Sequence, residues 1–408
     1  MNTDKGSSKL RHRFQMMARN LWSPRSLWFS LHFLICVHLC SSVAQTAFAG
    51  TVTTLDGRSF EGEVKFDTRT ALGVVQKNGV GVRVELDKLL RATFEPVSSK
   101  STEASRSHEI LLARGIVTAD GTAIAVENFL KVDKQTVRVT KSDTVGGGEA
   151  TLRADRVARI VLAPLPDELL VAAPAGKSGV ILDGGDFAEG ELVNVDNGKV
   201  KLNSILFGPQ SFECGTRALA VILRPARRPD ESARLVMTLA DGSVLAGDAI
   251  TTERGRASID DSSFGAVSAP IKDVIEIRAG GERLVPLETV KGVASAAAAG
   301  PVPLFGLTPA HAVAVRAGSP IAIDLDGKYE SFIARVGVPL AIAPARPARV
   351  VLLVDGVERF RSEPLTSVDD PVPVAVSLKG TKKLELRVDE GGPAVVLADP
   401  VLVTVAAQ

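Results

Sequence analysis

Apolar and polar residues alternate with a period of two along much of this chain. Val82, Val84 and Leu86 alternate with Arg83 and Glu85, and Ile321, Ile323 and Leu325 with Ala322 and Asp324. Leu384, Leu386 and Val388 alternate with Glu385 and Arg387 in the same way. That period marks strands with one buried face. The runs are short and punctuated by turn formers, 36 Gly and 22 Pro in all, which suits many short strands. No long amphipathic helix is expected beyond residue 49.

A repeat organises the first part of the chain. Asp-Gly occurs at Asp56-Gly57, Asp120-Gly121, Asp183-Gly184 and Asp241-Gly242, 64, 63 and 58 residues apart. An apolar segment leads into each pair and a second strand-like segment follows it. Each unit closes on alternating apolar residues, as in VARIVLAP and ALAVILRP. Asp-Gly between apolar segments signals a hairpin, because Gly takes a positive φ without a Cβ clash. The pattern therefore predicts four small antiparallel β-units, barrel-like so that their edges are hidden. Their bounds read as 50–98, 108–166, 176–226 and 232–289. Units this small are marginal alone, so neighbours are expected to pack together. The Asp residues read as turn formers and not as calcium ligands, since no Asp-x-Asp-x-Asp-Gly occurs. Residues 290–305 read as a small-residue linker. Alternation then resumes over 306–408 with the strand spacing of a β-sandwich.

The first 49 residues differ in kind. Six basic residues and one acid precede an apolar run from Leu27 to about Val43, which ends in Ala47-Phe48-Ala49. Basic region, apolar core and small-x-small site in that order read as a secretory signal peptide. An uncleaved N-terminal anchor is the alternative. Without this segment no stable membrane span is expected, and the location is secreted, periplasmic or cell envelope.

Composition narrows the function. Of 408 residues, 48 are Lys or Arg and 47 Asp or Glu, for a net charge of +1. Loss of the basic leader leaves −4, so nothing neutralises a phosphate backbone and nucleic acid is excluded as a partner. Cys36 and Cys40 fall in the leader, which leaves Cys214 as a buried, inert thiol and no internal disulfide. Only His108 and His311 remain among histidines, and no Gly-x-Ser-x-Gly elbow occurs. No metal, cofactor or catalytic residue is expected. Aromatics make up 4% of the chain, and both tryptophans, Trp22 and Trp28, precede residue 30.

The C-terminal region carries a resemblance. Ile321–Val338 reads IAIDLDGKYESFIARVGV, with Gly327, Tyr329, Phe332 and Val336-Gly337-Val338 in order. VVLLVDGVERFRSEPL follows with Asp355, Gly356, Phe360 and Ser362, then a strand turning at Gly380 and a final Ala398-Asp399. This order resembles the NPCBM domain, a carbohydrate-binding module found beside glycoside hydrolase family 98 and in related secreted bacterial proteins. The resemblance covers 306–403 and implies a jelly-roll β-sandwich that binds sugar. Arg316 stands where members commonly have His, and Pro400 where they have Trp after Ala-Asp. Tyr329, Arg316 and His311 are the candidate ligand-binding residues. Phe332 falls on the same face as Glu330 by strict alternation, which predicts a bulge or a covered edge there and not a site. The function expected is a secreted, non-catalytic protein whose partner is a polysaccharide or glycoprotein glycan, with the repeats as spacer or protein-interaction region. A cell-envelope structural protein that has lost sugar binding is the alternative, and an unrecognised glycoside hydrolase a third reading.

Overall fold

A computed structural model describes residues 48–95, 112–165, 167–170, 173–174, 176–261, 263–293, 302–305, 309, 311–340, 347–389 and 392–405. The leader through residue 47 and His108 lie outside them. The described chain is all-β, with helix confined to short 3-10 turns and to α1 (Asp167–Leu170) and α2 (Pro229–Ser232).

The first meander comprises β1 (Phe48–Thr54), β2 (Ser59–Thr68), β3 (Ala71–Gln76), β4 (Gly81–Glu85) and β5 (Leu89–Glu95). Its order is β4-β3-β2-β1-β5, all antiparallel, with a 3-10 turn at Leu86–Lys88 carrying the chain back to β1. The order recurs in β6 (Gly115–Thr118), β7 (Ala123–Asp133), β8 (Thr136–Lys141), β9 (Glu149–Arg153) and β10 (Val157–Val161). The third meander has β11 (Gly179–Leu182), β12 (Phe187–Glu189), β13 (Glu191–Asp196), β14 (Lys199–Ser204), β15 (Gly208–Glu213) and β16 (Ala218–Ile222). There β12 and β13 take the place of one long strand, interrupted at Gly190. The fourth has β17 (Leu235–Leu239), β18 (Val244–Glu253), β19 (Arg256–Asp261), β20 (Gly265–Pro270) and β21 (Val274–Ala279). The inward-facing positions of these strands, such as Val52, Leu72, Ile116, Val139, Leu202 and Ile277, form one buried cluster.

The repeated turn is closed by a glycine N–H. Gly57 donates to the Thr54 carbonyl at 2.8 Å, Gly121 to Thr118 at 3.1 Å and Gly242 to Leu239 at 3.0 Å, with φ of +83°, +92° and +84°. In the third meander the equivalent glycine is Gly185 (φ +81°), which donates to Leu182. The Asp183-Gly184 pair is therefore one residue out of step with the other three. What the turn requires is a positive φ at its last position, and the sequence there supplies two glycines in succession.

The meanders join through equivalent strands. β5 pairs antiparallel with β21 around Ala92 and Ile277, and β10 with β16 around Ile160 and Val221. Each of these four residues is the fourth of its strand, so each pair is related by a local two-fold. The second and fourth meanders meet at Val244 and Ala123 and exchange reciprocal bonds between turns. Ser263 Oγ donates to Asp120 at 2.9 Å, and Ser142 Oγ to Asp241 at 3.0 Å. Buried Asp261 completes this joint, accepting from the Thr122 hydroxyl and from the N–H groups of Ala246, Ser263 and Phe264.

The C-terminal region is a β-sandwich of β22 (Leu284–Pro286), β23 (Ala312–Val315), β24 (Ile321–Asp324), β25 (Tyr329–Gly337), β26 (Val350–Val354), β27 (Val357–Arg361), β28 (Val372–Ser377), β29 (Lys383–Val388) and β30 (Val395–Thr404). One sheet runs β22-β30-β25-β28, with β23 also on β30; the other runs β24-β29-β26-β27. Phe332, Leu352, Leu386 and Leu397 are buried between them. Of the two expected arrangements at Glu330 and Phe332 the bulge is present, between Tyr329 and Ser331 on β25. Two differences from the sequence reading concern edges. β22 belongs to a sandwich sheet, and Leu287 and Val293 are buried in its core, because their side chains find apolar partners there. β1 begins at Phe48, whose buried ring stands edge-on to Phe94 at 6.2 Å. Cleavage after Ala49 would therefore remove an aromatic ring from the first core.

Candidate functional site

The three candidate residues occupy different places around β30. His311 lies just before β23 and its backbone exchanges two hydrogen bonds with Asp399. Its N–H donates to Asp399 Oδ1 at 3.0 Å, and the Asp399 N–H donates to its carbonyl at 2.8 Å. Asp399 takes a φ of +48° to do this. The imidazole is nearly enclosed, with Nδ1 facing both Arg228 (2.7 Å) and Glu288. It serves one of them at a time, accepting from Arg228 or donating to Glu288. Burial, reinforced by the Arg228 charge, pushes its pKa down to about 4, so the ring is neutral at pH 7. His311 is thus a latch between strands and not an open ligand contact.

Arg316 follows β23 and is exposed, with Ser319 bonding to its backbone carbonyl at 3.1 Å. Tyr329 opens β25 opposite Thr404, half-buried, its ring against the sandwich core. Val315, beside Arg316, pairs with Val395 at the other end of β30. Nine residues of strand separate the two partners, roughly 30 Å at ~3.3 Å per residue. The structure does not bring Arg316 and Tyr329 together, and His311 sits between them inside the sheet edge.

The Tyr329 end of the sheet does border a concave surface. A cavity of about 450 Å³ lies between the first meander and the sandwich. Glu330 and Arg283 line it from the sandwich, and Arg58, Phe60, Arg83 and Asp87 from the first meander. The Arg58 guanidinium lies 5.8 Å from the Phe60 ring centroid and holds Asp56 at 2.9 Å. Partial burial alone would raise the Asp56 pKa, but the Thr54 hydroxyl bond and the Arg58 charge outweigh it and hold the carboxyl below its ordinary value. Glu330 is shared by Arg283 (3.7 Å) and Lys379 (3.1 Å). A ring with carboxylates and guanidinium groups around it offers apolar contact and hydroxyl-directed hydrogen bonds in one place.

The cavity exists because the two regions are held together beside it. Ser331 Oγ donates to the Leu55 carbonyl at 2.7 Å, and Gly57 lies so close to Ala375 that no side chain fits between them. Deeper in, Arg91 is paired with Glu276 at 3.0 and 2.5 Å. Arg335 of β25 is half-buried within reach of the Arg91 charge, and burial together with that charge lowers its pKa.

The NPCBM/NEW2 domain model matches residues 285–398, which are the strands of the sandwich from β22 into β30. These residues form an NPCBM domain. The chain thus carries a carbohydrate-binding module. Among solved structures it is similar to the CBM51 module from Clostridium perfringens GH95, solved in complex with methyl-galactose, at 20% identity over 29% of this chain and 99% of that one, TM-score 0.26. It is also similar to the tandem CBM51 modules of the family 98 glycoside hydrolase from Streptococcus pneumoniae SP3-BS71, at 12% identity over 87% of this chain and 100% of that one, TM-score 0.27. No curated protein matches the chain.

The NPCBM match begins at Val285, earlier than the resemblance in the sequence, and so takes in the β22 strand. The cavity residues Arg58, Phe60 and Arg83 lie more than 200 positions before it, and nothing in their local sequence marks them. Cys214 is half-buried, and burial pushes its thiol pKa up, which keeps it protonated and unreactive. Among the described residues no helix is long and apolar enough to cross a membrane.

Proposed function

We propose that this is an exported, non-catalytic glycan-binding protein. Its NPCBM domain recognises a polysaccharide or glycoprotein glycan, and the four β-units hold that domain at a distance or bring protein partners to it. The observation that carries the reading is the NPCBM match falling on a two-sheet sandwich with its own buried core. The cavity beside Tyr329 is the binding surface in this reading, since it combines the Phe60 ring with Arg58, Arg283 and Glu330. Export rests on the basic, apolar and small-residue order of the first 49 residues.

The test uses the chain from residue 47, a single compact unit that holds every described strand. It should be retained on a glycan array, and Phe60→Ala or Arg58→Ala, both at residues that line the cavity, should weaken retention at least about tenfold, as expected for loss of the ring or of the cation over it. Absence of retention on any glycan, or retention unaffected by both changes, defeats the reading of this cavity.

A further inference from the structure

Ile205, Leu206 and Phe207 form the tip of the β14–β15 hairpin and are 91%, 84% and 75% exposed. Three large apolar side chains in succession, each almost surrounded by water, are costly to leave without a partner. The fold does not ask for them. The same hairpin is built three more times in this chain, between β3 and β4, β8 and β9, and β19 and β20. Those tips carry Lys77-Asn78-Gly79-Val80, with Val80 50% exposed, Ser142-Asp143-Thr144 ahead of buried Val145, and Ser263-Phe264. Phe264, the one aromatic residue among them, packs against the core. Only in the third meander is the tip wholly apolar, and Gln210 braces it by donating its side-chain amide to the Phe207 carbonyl at 3.0 Å.

The form of the exposure selects the partner. A residue on a docking face keeps one side against its own protein, so its exposure is partial. Here the side chains are open nearly all round and follow one another through a turn, so they diverge. A bilayer interface covers apolar side chains on every side without needing a shaped pocket. The surroundings agree. From Leu202 to Phe212 the hairpin has no charged residue, and the first charges on its two strands are Lys201 and Glu213. Lys201 stands about 16 Å of strand below Leu206, at ~3.3 Å per residue. Interfacial insertion reaches ~5–10 Å into a bilayer, so the tip enters while the charges stay in water.

We propose that the β14–β15 tip is a membrane-contacting loop that inserts Ile205, Leu206 and Phe207 into the interface of a phospholipid bilayer. The chain from residue 47 contains no tryptophan, so Phe207→Trp supplies a single reporter. The probes are vesicles of phosphatidylcholine, alone and mixed with phosphatidylglycerol. Expected results are co-flotation of the protein with vesicles and a blue shift of the indole emission of the Phe207→Trp variant on adding them. Replacement of all three residues by serine should reduce vesicle partition by roughly tenfold or more, with the thermal unfolding curve unchanged. Absence of flotation with both vesicle types overturns the proposal. So does flotation unaffected by the triple serine change. A blue shift without lipid that grows with protein concentration also overturns it, because the tip then docks on a second copy of the chain.

Discussion

Replacing His311 with Gln should remove a pH dependence that the intact protein carries between pH 6.5 and 4. The imidazole is enclosed by Arg228, Glu288 and the Asp399 segment, with Asp230 and Arg278 nearby. Burial, with the Arg228 and Arg278 charges, takes its pKa from an ordinary 6.5 to about 4, and Asp399 and Asp230 oppose the shift in part. As pH falls, the unfolded chain takes up a proton near 6.5 and the folded chain only near 4. Between those values the unfolded state binds more protons, so stability rises with pH. The contribution is complete above 6.5 and is lost as pH falls toward 4. A difference of this size corresponds to roughly 3 kcal/mol for a fully shielded group. The side chain retains 14% exposure, and solvent screening brings the expected value to about 2 kcal/mol. Circular dichroism melts at pH 7.5 and 4.5 read the effect. At ~2 °C per kcal/mol for a large domain, the parent protein should lose about 4 °C more than His311→Gln on acidification. Carboxylates common to both proteins cancel in the comparison. Equal losses in the two proteins, or a larger loss in the variant, would refute the assignment of His311 as a neutral buried latch.

Two further substitutions separate the joints of the molecule. Gly57→Ala places a Cβ 2.1 Å from the Ala375 Cβ at a φ of +83° and should cost about 3 kcal/mol. Gly356→Ala shares the positive φ but meets nothing within 4 Å, so it should cost ~1 kcal/mol, and equal denaturant midpoints for the two would sink the reasoning. Asp261→Ala takes away the acceptor for Thr122, Ala246, Ser263 and Phe264, and urea unfolding should show a loss of roughly 2–4 kcal/mol. Burial raises the Asp261 pKa, so its ionisation opposes folding: protonation favours the native state, and this benefit fades as pH rises through the folded pKa. A midpoint unchanged by Asp261→Ala would mean that the joint between the second and fourth meanders carries no stability.

Local pattern and tertiary contact divide what is readable from the residues. The alternation at Ile321–Leu325 and Leu384–Val388 marks strands whose apolar members are indeed buried, because a period of two is enforced by the pleat itself. The conflict of Glu330 and Phe332 on one face is legible in the sequence, and the pairing of β25 with β30 resolves it as a bulge before Ser331. The turn at Gly185 lies one residue beyond the position its sequence marks, since Asp-Gly is a proxy for a backbone conformation that the adjacent Gly-Gly also provides. His311 reads in the sequence as a surface hydrogen-bonding group. Its burial depends on Arg228, Glu288 and Asp399, which approach from 83, 23 and 88 positions away. The cavity has the same origin, as Phe60 and Glu330 become neighbours only through the contacts of Leu55 and Gly57 with β25 and β28.

The strand pairings also bear on why four units accompany one binding module. Equivalent strands couple the first meander to the fourth and the second to the third, and the turn exchange couples the fourth to the second. The order of contact is therefore third, second, fourth, first, which differs from the order along the chain. The NPCBM domain joins this series at the first meander, through Leu55 and Gly57, and near the fourth, through Arg228. The apolar tip belongs to the third meander, at the other end of the series. In the function proposed above, the repeats are then a spacer fixed by paired strands, with the NPCBM domain at one end and the apolar tip at the other. Gly57→Ala and Asp261→Ala then act on two different joints of that spacer: the first should weaken the attachment of the binding domain, and the second its connection to the unit that carries the tip.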